Sequence, residues 1–287
     1  MKLKFLLKSI MLAALVAVSV TLSGSAYRNT QDFSENYDAI DSVEREKSEV
    51  VTPQTTENPE IPKENTDSAQ SAENTEYTEE VSEKPQKVIL DVPYINQRMY
   101  FPNGCESVSA VMAMQYFGID ITPSKFISDY LDMGTMPHIR YGRWVACDPR
   151  LQFPGDPRNS TGWGCYPEVI KNAIDKMELE NHQAVVLKDV SLSTLCSEFI
   201  DNGIPVVFWG TIDMEKPVPW VTWTIDGTDS THTWISPFHC LLLVGYDSEN
   251  YYFNDPWREK GKAYSKEAVE IAYSGVGREA LVIVEKA

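Results

Sequence analysis

The chain is poor in histidine, with only four among 287 residues, and poor in positive charge, with 25 Lys and Arg against 42 Asp and Glu for a net charge of −17. No basic patch stands out, so neither nucleic acid nor an anionic membrane surface is an expected partner. There is no Cys-x-x-Cys or His-x-x-x-His spacing, which argues against a structural zinc site, and no cofactor is expected. No internal repeat is present. Beyond the first 26 residues no apolar run approaches the ~20 residues that span a bilayer, so no integral membrane domain is expected. The cysteines number five, an odd count that leaves at least one thiol free unless chains pair.

The first residues, MKLKFLLKSIMLAALVAVSVTLSGSA, carry Lys2, Lys4 and Lys8, an apolar stretch from Ile10 to Leu22 and a small-residue run ending at Ala26. This reads as a secretory signal peptide over residues 1–26; the alternative is a retained anchor, for which the apolar core is short. Residues 27–86 hold 16 acids and 5 bases, few large apolar groups and no helical or strand period. Such a segment cannot bury enough surface to offset chain entropy, so a disordered acidic linker is expected, tethering a secreted, extracellular domain at a cell surface. Residues 87–287 suffice for one domain with a substantial core.

Within that domain a strand is expected over 88–95, and helices over 106–117, 123–132, 166–177, 191–201 and 265–273. Further strands are expected over 205–212, 239–246, 250–254 and 279–285, each rich in β-branched or aromatic residues. Helices mostly precede strands, an α+β layout. Two segments dense in Pro, Gly, Trp and Asp, 134–165 and 213–238, read as long irregular loops, and loops of that length tend to be functional. Trp163, Trp220 and Trp223 lie in them, either lining a cleft or packing as core.

Cys105 opens the run CESVSAVMAMQYF, apolar on nearly every face, so it is expected at the start of a buried helix. A helix N-terminus lowers a thiol pKa and offers free N–H groups to an oxyanion. A cysteine nucleophile also needs a base. His182 reads as a surface residue and His138 and His232 as loop residues, whereas His239 begins the apolar strand HCLLLVGYD, where a polar ring needs a partner. Asp255 follows in NYYFNDPW, and the hairpin through residues 247–250 returns it near His239 if the sheet twists or bulges. Gln97, eight residues before Cys105, is the candidate side-chain donor to an oxyanion beside the Cys105 backbone N–H.

The stretches DVPYINQ, PNGCESVSAVMAMQYFG, FPGDPRNSTGWGCYPEVIKNAI, IPVVFWGTI, PFHCLLLVGYD and YYFNDPW together resemble the exported C-39-like cysteine peptidases, papain-like relatives of the double-glycine leader peptidases of bacteriocin exporters. The resemblance runs from about residue 88 to 285. It implies a papain-like fold, a cysteine-bearing helix packed on an antiparallel sheet, with Cys105 as nucleophile, His239 as base, Asp255 as orienting acid and Gln97 as oxyanion amide. Gly104, Trp163 and Trp223 are expected to border the substrate, a peptide or protein. An amidase or acyl transferase could use the same residues, a non-catalytic binding module could keep the fold without turnover, and a disulfide-framed domain would pair at least four of the cysteines.

Overall fold

The computed structural model describes residues 87–286, so the expected signal peptide and acidic linker lie outside the described residues. Its centre is an antiparallel sheet. In order across it run β12 (Lys262–Ser265), β11 (Asn250–Asn254), β10 (Phe238–Asp247), β7 (Val206–Thr211), β13 (Glu279–Glu285) and β6 (His182–Lys188), with β1 (Lys87–Ile89) paired to the far end of β10. The inner strands β7 and β10 are buried on both faces, which is why their sequences run apolar without a break.

Alternation along these strands feeds two cores. Val207 and Trp209 of β7 and Cys240, Leu242 and Val244 of β10 face helix α1 (Cys105–Tyr116), α2 (Pro123–Asp129) and α3 (Pro167–Asp175). Val206 and Phe208, with Leu241 and Leu243, face α4 (Lys266–Val276) and the turns of residues 192–202 on the other side. Helix α1 is buried from Cys105 through Met114, as its lack of a polar stripe requires. Among the described residues no helix is long and apolar enough to cross a membrane.

Three expected elements differ. Of the strand expected over 88–95, only the first residues pair, and the extended remainder is held by the Asn254 amide, which donates to Val92 O and Pro93 O. The helix expected over 191–201 is a short α turn running into π and 3-10 turns, closed by Gly203 in the left-handed region. The segments expected to be irregular carry a second sheet, β3 (His138–Arg140), β4 (Arg143–Ala146), β8 (Val218–Ile225) and β9 (Thr231–Ser236). A short parallel pair, β2 (Met133–Gly134) with β5 (Phe153–Pro154), lies in the same region. Proline density obscured β8, yet Pro219 sits where the β8–β9 register shifts, a place where a missing N–H does no harm.

Arg150 ties the loop region to the main sheet. It donates to both carboxylate oxygens of Glu279, at 2.5 and 3.0 Å, and to Glu168 at 3.2 Å, with its guanidinium 4.0 Å from the centre of the Tyr166 ring. Glu279 is 5% exposed, so losing this partner strands a carboxylate. Arg150→Met is expected to cost ~2 kcal/mol in urea denaturation. An unchanged midpoint would show that Glu279 finds solvent instead.

Candidate active site

Cys105 is the first residue of α1. The preceding Gly104 offers no side-chain cap, so the first N–H groups of the helix keep no side-chain acceptor there. A Cβ at position 104 would stand 2.9 Å from that of Phe101, so the turn presenting Cys105 closes around a glycine. One turn on, the Ser109 hydroxyl donates to Cys240 O at 3.3 Å and pins the head of α1 against β10 beside His239. The Cys105 thiol donates to Glu106 Oε2 at 3.3 Å. Burial, then the Glu106 charge, pushes the thiol well above its ordinary pKa, against the opposing pull of the Cys240 backbone. The helix terminus therefore does not by itself lower the thiol pKa as expected; the buried surroundings outweigh it.

His239 and Asp255 meet as the sequence suggested. His239 Nε2 donates to Asp255 Oδ1 at 2.8 Å, with both side chains buried. The β10–β11 pairing that leads to Asp255 carries a β-bulge. Tyr252 pairs with Gly245 but Phe253 pairs with Leu243, so Val244 is an extra residue on β10. The shifted register runs to Leu242 with Asn254, the last pair, and Asp255 follows directly beyond the strand. Asp255 Oδ1 also accepts from the Trp257 and Arg258 N–H groups at 2.9 and 3.3 Å, and Oδ2 accepts from the Tyr264 hydroxyl at 2.9 Å. Burial raises the Asp255 pKa, but His239 and these donors outweigh it and hold the carboxyl below its usual value.

Gln97 is buried near the same loops. Its backbone N–H donates to Pro256 O at 2.9 Å and its side-chain amide to Pro102 O at 3.2 Å, while Oε1 has no partner. One amide N–H remains uncommitted. Trp163 stacks on the half-exposed Trp220 at 5.3 Å, so these two rings present an aromatic face to solvent. Trp223 does not: it is 1% exposed, bonded through Nε1 to Cys147 O, and packed with Tyr166 and Trp234 as the core of the second sheet. Apolar mass in a twisted sheet had to go inward, and Trp223 is on the inward face.

The other histidines are on strands rather than loops. His138 opens β3, His232 packs between Trp223 and Trp234 on β9, and His182 opens β6 against Phe117. All five cysteines are buried and none is joined to another in a disulfide, which goes against the disulfide-framed reading. Two site residues were missed. Glu106 reads as an ordinary first-turn acid, although an acid inside an all-apolar helix was a signal. Tyr264 carried none, because only the β11–β12 pairing brings it to Asp255. A cavity of about 280 Å³ lined by Arg140, Arg143 and Asp226 lies on the second sheet and shares no residue with this site.

A buried helix headed by a cysteine, packed on an antiparallel sheet that carries a buried histidine–carboxylate pair, defines an α+β protein. The chain belongs to the Peptidase_C39 like family, which matches residues 89–281 and suggests a peptidase. The uncharacterized protein YvpB of Bacillus subtilis (strain 168) is 28% identical over 213 residues, covering 70% of this chain and 76% of YvpB. The crystal structure of a candidate C39-like peptidase from Bacillus anthracis superposes with a TM-score of 0.62 at 27% identity, covering 71% of this chain and all of the other.

Proposed function

We propose that the protein is a secreted cysteine peptidase with a papain-like arrangement, hydrolysing peptide bonds in a peptide or protein substrate. The observation that carries this is the buried His239–Asp255 pair at 2.8 Å, set at the end of β10 against which the Cys105 turn is pinned. Asp255 occupies Nε2, so Nδ1 is the ring nitrogen left to act as base. His239 takes the thiol proton, and the sulfur attacks the carbonyl carbon. The Cys105 N–H and the free amide N–H of Gln97 serve the developing oxyanion. His239 then protonates the leaving amine as the C–N bond breaks, and water, deprotonated by His239, releases the acyl group from sulfur. Trp163 and Trp220 provide an apolar face for the substrate, with Gly104 keeping side-chain bulk away from the turn that presents the sulfur. Secretion and cell-surface association rest on the N-terminal sequence.

One observation favours the second reading, a non-catalytic binding module: the Cys105 thiol is bonded to Glu106 and not to His239. Both readings are tested by incubating wild type and Cys105→Ala with a proteome-derived peptide pool and comparing new N-termini by mass spectrometry. Cuts made by wild type alone are expected. The same cuts from both, or none from either, would sink the peptidase reading.

A further inference from the structure

Glu106 is fully buried one residue after the proposed nucleophile, and no step above uses it. Its two oxygens have separate partners. Oε1 accepts the Cys165 backbone N–H at 2.8 Å, and Oε2 accepts the Cys105 thiol at 3.3 Å. The surrounding chain is shaped to this carboxyl. Gly164 has φ 133°, and a Cβ there would stand 2.7 Å from Oε1 and 3.2 Å from the Trp234 ring. A side chain at this position would press on Oε1, so the loop closes on the carboxyl around a glycine. The site is therefore closed around a single carboxyl, one oxygen of which is committed to the reacting sulfur.

We propose that Glu106 sets the protonation state of Cys105: as a carboxylate it accepts the hydrogen bond of the thiol and keeps the sulfur protonated, and as a carboxylic acid it donates that bond back to a thiolate. This rests on reading Cys105 as the nucleophile and makes Glu106 a catalytic residue, since it touches the reacting atom. When Glu106 binds a proton from solvent, its O–H points at sulfur. The thiol proton is then free to leave for His239, the S–H bond breaking and an N–H bond forming with the electron pair kept on sulfur. When Glu106 loses its proton, its negative charge lies against the sulfur and opposes a second negative charge there.

The groups facing Glu106 are few. From its own helix there is the Cys105 thiol, from the loop entering α3 the Cys165 N–H and thiol, and from β10 His239 and Cys240, with Asp255 behind His239. Trp234 on β9 adds an apolar wall. Burial pushes the Glu106 carboxyl up to about 7, against the lowering pull of its own and the Cys165 N–H groups, Cys105 and His239. A raised pKa means that the acid form prevails below about pH 7 and the carboxylate above it. The proposal therefore places the thiolate-competent state on the acid side of neutrality.

The experiment is alkylation of Cys105 by iodoacetamide from about pH 5 to about pH 9, read by mass spectrometry at that residue, in the wild type and Glu106→Gln. Glutamine keeps an oxygen for the Cys165 N–H and a permanent donor for the sulfur. The expected result is alkylation of the variant at least ~10-fold faster than wild type near pH 8, without a fall in rate through about pH 7. In wild type alone, the rate is expected to fall as pH rises through about 7, which keeps the proposal testable if the variant fails to fold. A wild-type rate that climbs as one smooth thiol titration, or coincident profiles in the two proteins, overturns the role of Glu106 and leaves the nucleophile assignment standing. Failure of both proteins to alkylate at any pH overturns the two together.

Discussion

Replacing His239 with alanine is expected to lower kcat/KM on a cleaved peptide by about 10³-fold, because the thiol then has no base and the leaving amine no acid. The informative comparison is with Asp255. If its task is to orient His239, asparagine should serve almost as well as aspartate. The Trp257 and Arg258 N–H groups both donate to Oδ1, so they would hold an amide oxygen, not an amide nitrogen, toward His239 Nε2. The imidazole would keep the same tautomer, and Nδ1 would stay available as base. Asp255→Asn is thus expected to lose about 10-fold, whereas Asp255→Ala loses ~10²-fold or more and also takes the carboxylate acceptor from the Tyr264 hydroxyl and the Trp257 N–H. The two kcat/KM ratios, measured on folded protein, check this. Equal losses from asparagine and alanine would mean that the negative charge itself is required.

Gly155→Ala is expected to cost ~3 kcal/mol or more in stability. Gly155 has φ 85°, and a Cβ there would lie 1.9 Å from Thr161 O, a contact with backbone that no rotamer change relieves. The loop cannot simply shift. Its entry is tied by the Gly155 N–H to Gly134 O at 3.0 Å, and its exit carries Trp163 and the Cys165 N–H that Glu106 accepts. Damage should therefore reach the thiol as well as the fold. Urea unfolding and the Cys105 alkylation rate, followed together, read both effects. A normal midpoint would show that residues 155–162 are free to rearrange.

The parts legible in the sequence were those governed by local pattern. The run from Cys105 to Phe117 is apolar on nearly every face, so it had to be a buried helix, and its first residue had to be Cys105 or a near neighbour. The unbroken apolar runs of β7 and β10 could only be central strands, and a histidine at the head of one of them needed a partner. The order Gln97, Cys105, His239, Asp255 and its resemblance to the C-39-like peptidases pointed to the chemistry. Where local signals conflicted, as in the proline- and tryptophan-rich stretch 213–238, the β-branched and aromatic alternation of β8 and β9 was outweighed by turn residues and the second sheet was missed.

What no local pattern carries is which face a residue takes once strands pair, and which atoms meet across separate elements. Local pattern was enough for the buried helix, the central strands and the candidate residues in order, because periodicity and polarity are properties of neighbouring residues. Long-range pairing set the rest: the bond from His239 to Asp255, the burial of Trp223, and the bond of the Cys105 thiol to Glu106 and not to His239. A register shift of one residue reverses every side chain beyond it, and a buried carboxyl takes its pKa from what surrounds it.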